Sequence, residues 1–140
     1  MANTILLKGR GVRKEAIGSG VITPGHLLTL TSAGLLTVHA TQGGYVAPLF
    51  AVENDLVGDT IDDNYASGDY IQAEYLRTGD EVLGLVAAGE AAIVIGDLLC
   101  SKGDGTLEKT DTGDIVIAQA LEAVDNSGGS AVVRIKAVIL

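Results

Sequence analysis

A short turn sequence recurs through the chain and limits its possible folds more than any other feature. In each copy a Gly is followed by Asp or His, then by a variable residue and a branched aliphatic residue. Gly supplies the positive φ that a tight turn requires, Asp can bond to nearby main chain, and the aliphatic pair favours a strand. Short strands punctuated in this way are typical of a small β-barrel or sandwich. The six copies begin at Gly25, Gly58, Gly68, Gly79, Gly96 and Gly113.

Two segments, 25–36 and 96–107, predict similar β-hairpins. Each has the Gly turn, a pair of leucines, a second Gly and a further Leu at a constant offset. This pattern describes a strand, a Gly-containing turn and a second strand. We interpret the similarity as pseudo-symmetry within one barrel rather than as two domains.

The C-terminal residues predict a third hairpin, with strands at 115–124 and 132–140 around a turn at 125–129. In the second strand Val133 and the residues at 135, 137 and 139 are apolar, whereas Arg134 and Lys136 alternate with them. A period of two is typical of a strand with one buried face.

These patterns predict an all-β protein with a compact small barrel or sandwich and little or no helix. Residues 62–67 could form one helical turn, and the Ala-rich segment 87–92 contains Gly89, which costs about 1 kcal/mol relative to Ala inside a helix. We expect one β-rich domain at residues 21–140, preceded by an extended N-terminal arm at residues 1–20.

The charge of the chain bears on its partners. The net charge of −9 argues against nucleic acid, because phosphate contacts need a dense basic surface. No apolar run approaches the ~18 residues of a membrane span or the hydrophobic region of a signal peptide, so neither a membrane partner nor export is expected. Four basic residues nevertheless cluster near the N-terminus, either as a solvated tail or as an arm that docks on an acidic surface. They are Lys8, Arg10, Arg13 and Lys14.

Residues that could support catalysis are few. The chain has two histidines, His26 and His39, and one cysteine, Cys100, so no intrachain disulfide is possible. Both histidines lie in strand-like surroundings, and His26 occupies the turn position that Asp holds elsewhere. Cys100 follows two leucines, as a buried thiol in a strand would. No nucleophile elbow, zinc spacing or phosphate loop is present, so we expect no enzyme activity, no catalytic residue and no cofactor.

An acidic segment leaves a metal site open as an alternative. Its carboxylates could donate oxygens to calcium, although their order does not match an EF-hand loop. A paired-carboxylate glycosidase would usually add aromatic platforms, and the chain has no Trp. A solvated or interface loop is the preferred interpretation. The residues are Glu53, Asp55, Asp59, Asp62 and Asp63, with Asp69 close by.

Residues 51–69, AVENDLVGDTIDDNYASGD, resemble a stretch of tailed-bacteriophage head decoration proteins, also called capsid cement proteins. The flanking segments 23–28, 77–82, 96–107 and 120–125 are similar in style, so the resemblance extends over nearly the whole chain from about Ile22. It implies a β-tulip-like domain with an N-terminal arm. It also implies a homotrimer that binds the outer surface of the virion capsid, where it bridges major-capsid subunits after expansion.

The resemblance further implies a structural protein made in the host cytoplasm, with no catalytic motif and no cofactor. From charge and position, Lys8, Arg10, Arg13 and Lys14 are the candidate capsid contacts. Two other classes remain open at this point. One is a soluble β-domain that binds calcium or carbohydrate, which a chelator would destabilise if calcium is bound. The other is a small enzyme or carrier domain, which would depend on His26, His39 or Cys100.

Overall fold

A computed structural model describes residues 3–140 and confirms the all-β prediction. No helix in this range is long and apolar enough to cross a membrane. Apart from a single 3-10 turn at Asp55–Val57, the regular structure of these residues is β. The strands are β1 (Leu6–Lys8), β2 (Val12–Ile17), β3 (Leu28–Leu30), β4 (Leu36–Val38), β5 (Leu49–Ala51), β6 (Tyr70–Tyr75), β7 (Glu81–Val86), β8 (Leu98–Ser101), β9 (Leu107–Lys109), β10 (Ala118–Ala120) and β11 (Val133–Ile139).

Five strands close into a small barrel in the order β7-β11-β10-β8-β9. Neighbouring strands are antiparallel except at the closure, where β7 and β9 meet in parallel through Val86 and Leu107. β1 adds to the outside edge of β7. β7 is the strand with the most buried apolar side chains, because it is covered on both faces. Its buried residues include Val82, Leu83, Leu85 and Val86.

A second layer consists of the three-stranded sheet β2-β6-β5 and the β3–β4 hairpin. Apolar residues of this layer enclose a second core that is separate from the barrel core. Its buried members are Ile22, Leu28, Leu36, Leu49, Ala51, Tyr65, Ile71 and Ala73.

β5 connects the two cores, because successive side chains of a strand point to opposite faces. Leu49 and Ala51 belong to the second core, whereas Phe50, which is fully buried, belongs to the barrel core. Gly84 in β7 provides the space for this arrangement. A Cβ at Gly84 would lie 2.9 Å from Cδ1 of Leu107, which packs in the same core.

Five of the six predicted turns share one local hydrogen-bonding pattern. In each, the residue after Gly makes two hydrogen bonds with the residue three positions before it. Its main-chain N–H donates to the carbonyl of that residue, and its side chain accepts the N–H of that residue. The side-chain acceptors are Asp69, Asp80, Asp97, Asp114 and, through Nδ1, His26. His26 therefore fills the Asp position chemically as well as in sequence. All six glycines have positive φ, as predicted.

The turn at Gly58 and the turn at Gly113 differ from the others. Gly58 ends the 3-10 turn in a left-handed conformation, and the side-chain acceptor pattern occurs instead between Thr60 and Asp63. After Gly113 the main chain of Ile115 bonds to Gly43, so the next strand, β10, begins only at Ala118. The prediction that a strand follows directly is therefore wrong at these two turns.

The predicted hairpins are present. β3 pairs with β4 and β8 pairs with β9, both antiparallel, although only the second pair lies in the barrel. β10 and β11 form the C-terminal hairpin over Ala118–Ala120, whereas Val124 bridges to Ile93 instead. The buried and exposed residues of β11 alternate as expected. Residues 62–67 and 87–92 form no helix.

The N-terminal segment, predicted as an extended arm, is paired with both sheets. Residues 1 and 2 of the predicted arm 1–20 lie outside the described residues. Within the rest, β1 pairs with β7 and β2 pairs with β6 over six residues. Ile5 is fully buried in the barrel core, and Ala16 packs against the second core. Burial of these side chains holds the segment in the sheets, so it is part of the folded domain.

Candidate functional site

The four basic residues of the N-terminal segment lie along the outer edges of both sheets. β1 is the edge strand of the barrel sheet, and β2 is the edge strand of the three-stranded sheet. Lys8, Arg10 and Arg13 are exposed, whereas Lys14 is half-buried on the other face of β2. The structure therefore brings three of the four to the surface.

The surroundings of these basic residues differ in charge. Nζ of Lys8 lies 3.5 Å from Oε2 of Glu81, and Nη1 of Arg13 donates to Oε1 of Gln72 at 3.0 Å. Among the described residues, Arg10 has no ion-pair partner. The guanidinium of Arg10 is therefore the most available for a partner.

The acidic segment is a largely exposed loop in which some of the carboxylates accept main-chain N–H groups. Oδ2 of Asp63 accepts the N–H of Thr60 at 2.7 Å, which lowers the pKa of Asp63. Oε2 of Glu53 accepts the N–H of Ile5 at 3.0 Å. Glu53 and Asp63 therefore have partners already, and among the described residues no three carboxylates of the segment bring their oxygens within 4.8 Å of one another. The sequence did not predict that this loop also presents apolar side chains, because Leu56 and Val57 are both about 70% exposed (73% and 69%).

A different group of potential metal ligands comes together on β8, β9 and the turn at Gly113. Ligand atoms of Cys100, Glu108 and Asp114 lie within 4.8 Å of one another. Burial, with help from the Asp114 carboxylate, raises the pKa of the Cys100 thiol to about 12. Asp114 also accepts the Asp111 N–H at 2.8 Å. The thiol therefore stays protonated, and the turn already uses the Asp114 carboxylate.

Glu108 is similarly engaged, in a small network of charged side chains. Nζ of Lys102 lies 2.5 Å from Oε2 of Glu90 and 3.3 Å from Oε2 of Glu108. The hydrogen bond to Glu90 is the main cause that raises the pKa of Lys102. These contacts connect the end of β8 to β9 and to the loop that precedes β8. No sequence spacing indicated this cluster, because its members come from separate segments.

His39 lies beside Ser101, a pairing that the sequence did not predict across 62 positions. Nδ1 of His39 is 2.6 Å from Oγ of Ser101, and both residues are buried. Burial lowers the pKa of His39, opposed by a hydrogen bond to the Tyr45 main chain. Ser101 is fully inaccessible and its Oγ accepts the Gly103 N–H, so the pair fixes loops rather than presenting a nucleophile.

An apolar surface lies around Tyr45, in the loop between β4 and β5. The Tyr45 side chain is 79% exposed and lies between two shallow hollows of about 240 and 160 Å³. Five parts of the chain that are distant in sequence form the walls, at 28–30, 45–49, 75, 115–117 and 140, which explains why no local motif predicted the surface. Residues of the first hollow include Leu28, Leu30, Leu49 and Tyr75, and those of the second include Pro48, Ile115, Val116, Ile117 and Leu140.

Comparisons with known proteins show a similarity to a solved phage structure. No family model matches the sequence, and no curated protein matches it. Among solved structures, the N base of head fiber gp8.5 of bacteriophage phi29 is similar to this chain at 21% identity, with a TM-score of 0.60. The similarity covers 94% of this chain and 95% of that one. The two proteins therefore share a fold along almost their full compared lengths.

Proposed function

We propose that this protein is a structural component of a bacteriophage head that binds the outer surface of the capsid. The observation that carries the proposal is the full-length structural similarity to the base of a phage head fiber. The resemblance of residues 51–69 and their flanks to head decoration proteins supports it independently. Finer parts of the proposal are that the protein bridges major-capsid subunits after expansion and that it acts as a homotrimer.

We infer that the capsid contact includes the exposed basic residues of the N-terminal segment. Lys8, Arg10 and Arg13 follow the free edges of two sheets, so they project from a rigid support. A rigid binding surface loses little conformational entropy on association. Several copies on one shell would gain avidity without any single strong contact. Because Lys14 is half-buried on the other face of β2, it is the weakest member of the predicted set.

A non-catalytic role is part of the proposal. The pair His39–Ser101 is buried, and the pKa of the Cys100 thiol is raised to about 12. Neither therefore offers an accessible, activated nucleophile. Glu53, Asp63 and Asp69 accept main-chain N–H groups, and among the described residues no three carboxylates of the acidic segment gather at one point, which gives calcium binding no specific support.

Co-sedimentation with expanded shells that lack the protein tests this function. The wild-type protein is expected to pellet with shells and to raise their melting temperature. The double variant Arg10→Ser/Arg13→Ser is expected to bind at least about tenfold more weakly, since two exposed charge contacts are lost. The variant Lys109→Ser/Lys136→Ser removes the same charge elsewhere and should bind normally.

Two results would contradict different parts of the proposal. Failure of the wild-type protein to pellet with shells rules out the capsid role itself. Equal binding by the two double variants leaves the capsid role in place but rules out the N-terminal contact. Binding that does not raise the melting temperature of the shells rules out bridging.

A further inference from the structure

The apolar surface around Tyr45 is lined by uncharged side chains. No side chain that lines either hollow is an Asp, Glu, Lys or Arg. By contrast, Leu56 and Val57 adjoin Asp55 in the acidic loop, and Ile95 lies in the turn closed by Asp97. The Tyr45 surface can therefore meet another surface without burying a charged side chain of its lining residues.

The extent of the surface fits an interaction site. Its most exposed apolar side chains are Tyr45 at 79%, Leu140 at 51%, and Leu30 and Ile115 at 43% each. Together with Val116, these residues expose on the order of 400 Å² of apolar surface, which is the size of the largest apolar patch on a typical soluble monomer, and such a patch is often functional. Val12, 53% exposed and paired with Tyr75, extends the rim.

The support beneath Tyr45 is rigid. Val46, the residue after Tyr45, packs against the barrel core. On either side of this loop, Gly43 bonds to Ser101 and the carbonyl of Pro48 accepts the Leu76 N–H. The ring of Tyr45 is thus presented by a fixed main chain, which reduces the entropy lost when a partner covers it.

We propose that the Tyr45 surface is the contact between copies of this chain, with Tyr45 of one copy seated in a hollow of its neighbour. The inference rests on the homotrimer included in the proposed function and identifies the surface through which the copies associate. Two copies of a chain with net charge −9 repel each other over most of their surfaces. A face free of charged side chains is where that repulsion is least and where desolvation is favourable.

The shape of the surface also favours a second copy as its occupant. Each copy offers one projecting aromatic ring and two adjoining apolar hollows, which is what a repeated contact around a ring of identical subunits requires. Aromatic residues seated in desolvated pockets commonly dominate the affinity of an interface. A capsid protein seated on this face is the rival outcome, and the experiment separates it from self-association.

Sedimentation equilibrium of the full chain, from low micromolar to ~100 µM, tests the proposal. Tyr45→Asp is expected to raise the dissociation constant for self-association at least about 30-fold, because Asp removes the ring and would place an unpaired charge in the contact. Tyr70→Asp is the matched control. Tyr70 is also exposed, at 60%, but lies on β6 away from both hollows.

Each outcome has a definite meaning when shell co-sedimentation is run on the same proteins. Loss of association in Tyr45→Asp but not in Tyr70→Asp supports the proposal. A monomeric wild type, or equal association in both variants, overturns it. A Tyr45→Asp protein that associates normally but no longer pellets with shells overturns it in favour of a capsid contact. Wild-type protein that associates but ignores shells refutes only the proposed function.

Discussion

Replacing Gly96 by Ala isolates the energetic requirement of the recurring turn. Gly96 has a φ of 93°, and a Cβ built there meets no atom within 4 Å. The substitution therefore changes main-chain strain without creating a steric clash. Forcing an L-residue into a left-handed conformation costs about 1–2 kcal/mol. The reduced entropy of the unfolded chain returns about 0.4–1 kcal/mol. The expected net loss of unfolding free energy is about 1 kcal/mol.

Gly128 is the matched control, because its φ is not positive and its Cβ position is also open. Gly128→Ala should stabilise the protein by about 0.4–1 kcal/mol through the unfolded state alone. Gly25→Ala should be worse than Gly96→Ala, since its Cβ would lie 3.0 Å from the Leu83 carbonyl oxygen as well.

Equilibrium unfolding in urea measures these differences. With a slope of about 1–3 kcal/mol per molar urea, the Gly96 and Gly128 variants should differ in midpoint by roughly half a molar or more. The predicted order of stability is Gly25→Ala, then Gly96→Ala, then wild type, then Gly128→Ala as the most stable. If Gly96→Ala unfolds at the same urea concentration as Gly128→Ala, positive φ is not what the turns require of their glycines.

Three further predictions concern buried residues. Burial lowers the pKa of His26, whose Nδ1 accepts the Thr23 N–H. As the pH falls, His26 is therefore protonated in the unfolded chain before it is protonated in the folded protein. The stability that neutral His26 contributes above pH ~6.5 should be lost as the pH falls through its lower pKa in the folded protein. The variant His26→Asn should therefore show a smaller change in urea midpoint between pH 7.5 and 5.5 than the wild type. Phe50→Ala should cost about 3–5 kcal/mol of unfolding free energy in urea titration, and a loss below 1 kcal/mol would contradict its role in the barrel core. The Cys100 thiol, with a pKa of about 12, should react with a thiol reagent at pH 8 only after denaturant is added; rapid reaction of the native protein would refute its burial.

Local patterns predicted the turns and hairpins because their causes are local. A Gly followed by Asp closes its hydrogen bonds within four residues, so the sequence contains the whole motif. The alternation in β11 likewise reflects one strand facing one core. The same patterns failed after Gly113, where the continuation depends on Gly43, a partner 70 positions earlier.

The N-terminal segment and the candidate surfaces needed tertiary information. Charged residues on an edge strand resemble a solvated tail in sequence, since half of such a strand faces water. Arg13 and Glu15 are exposed on β2, whereas the neighbouring Ala16 packs on a core. The pairing of His39 with Ser101 and the walls around Tyr45 join distant segments, so no spacing rule could identify them.

The central position of β7 has a consequence for how the native protein opens to solvent. β7 is bonded to β1, β11 and β9, whereas β1 and β2 each have one partner strand. Amide hydrogens in β7 should exchange with deuterium only on global unfolding, and those of β2 should exchange much faster through local opening. The edge that carries the basic residues should therefore open to solvent while the barrel stays intact. The strand that opens first and the strand that opens last thus belong to the same domain.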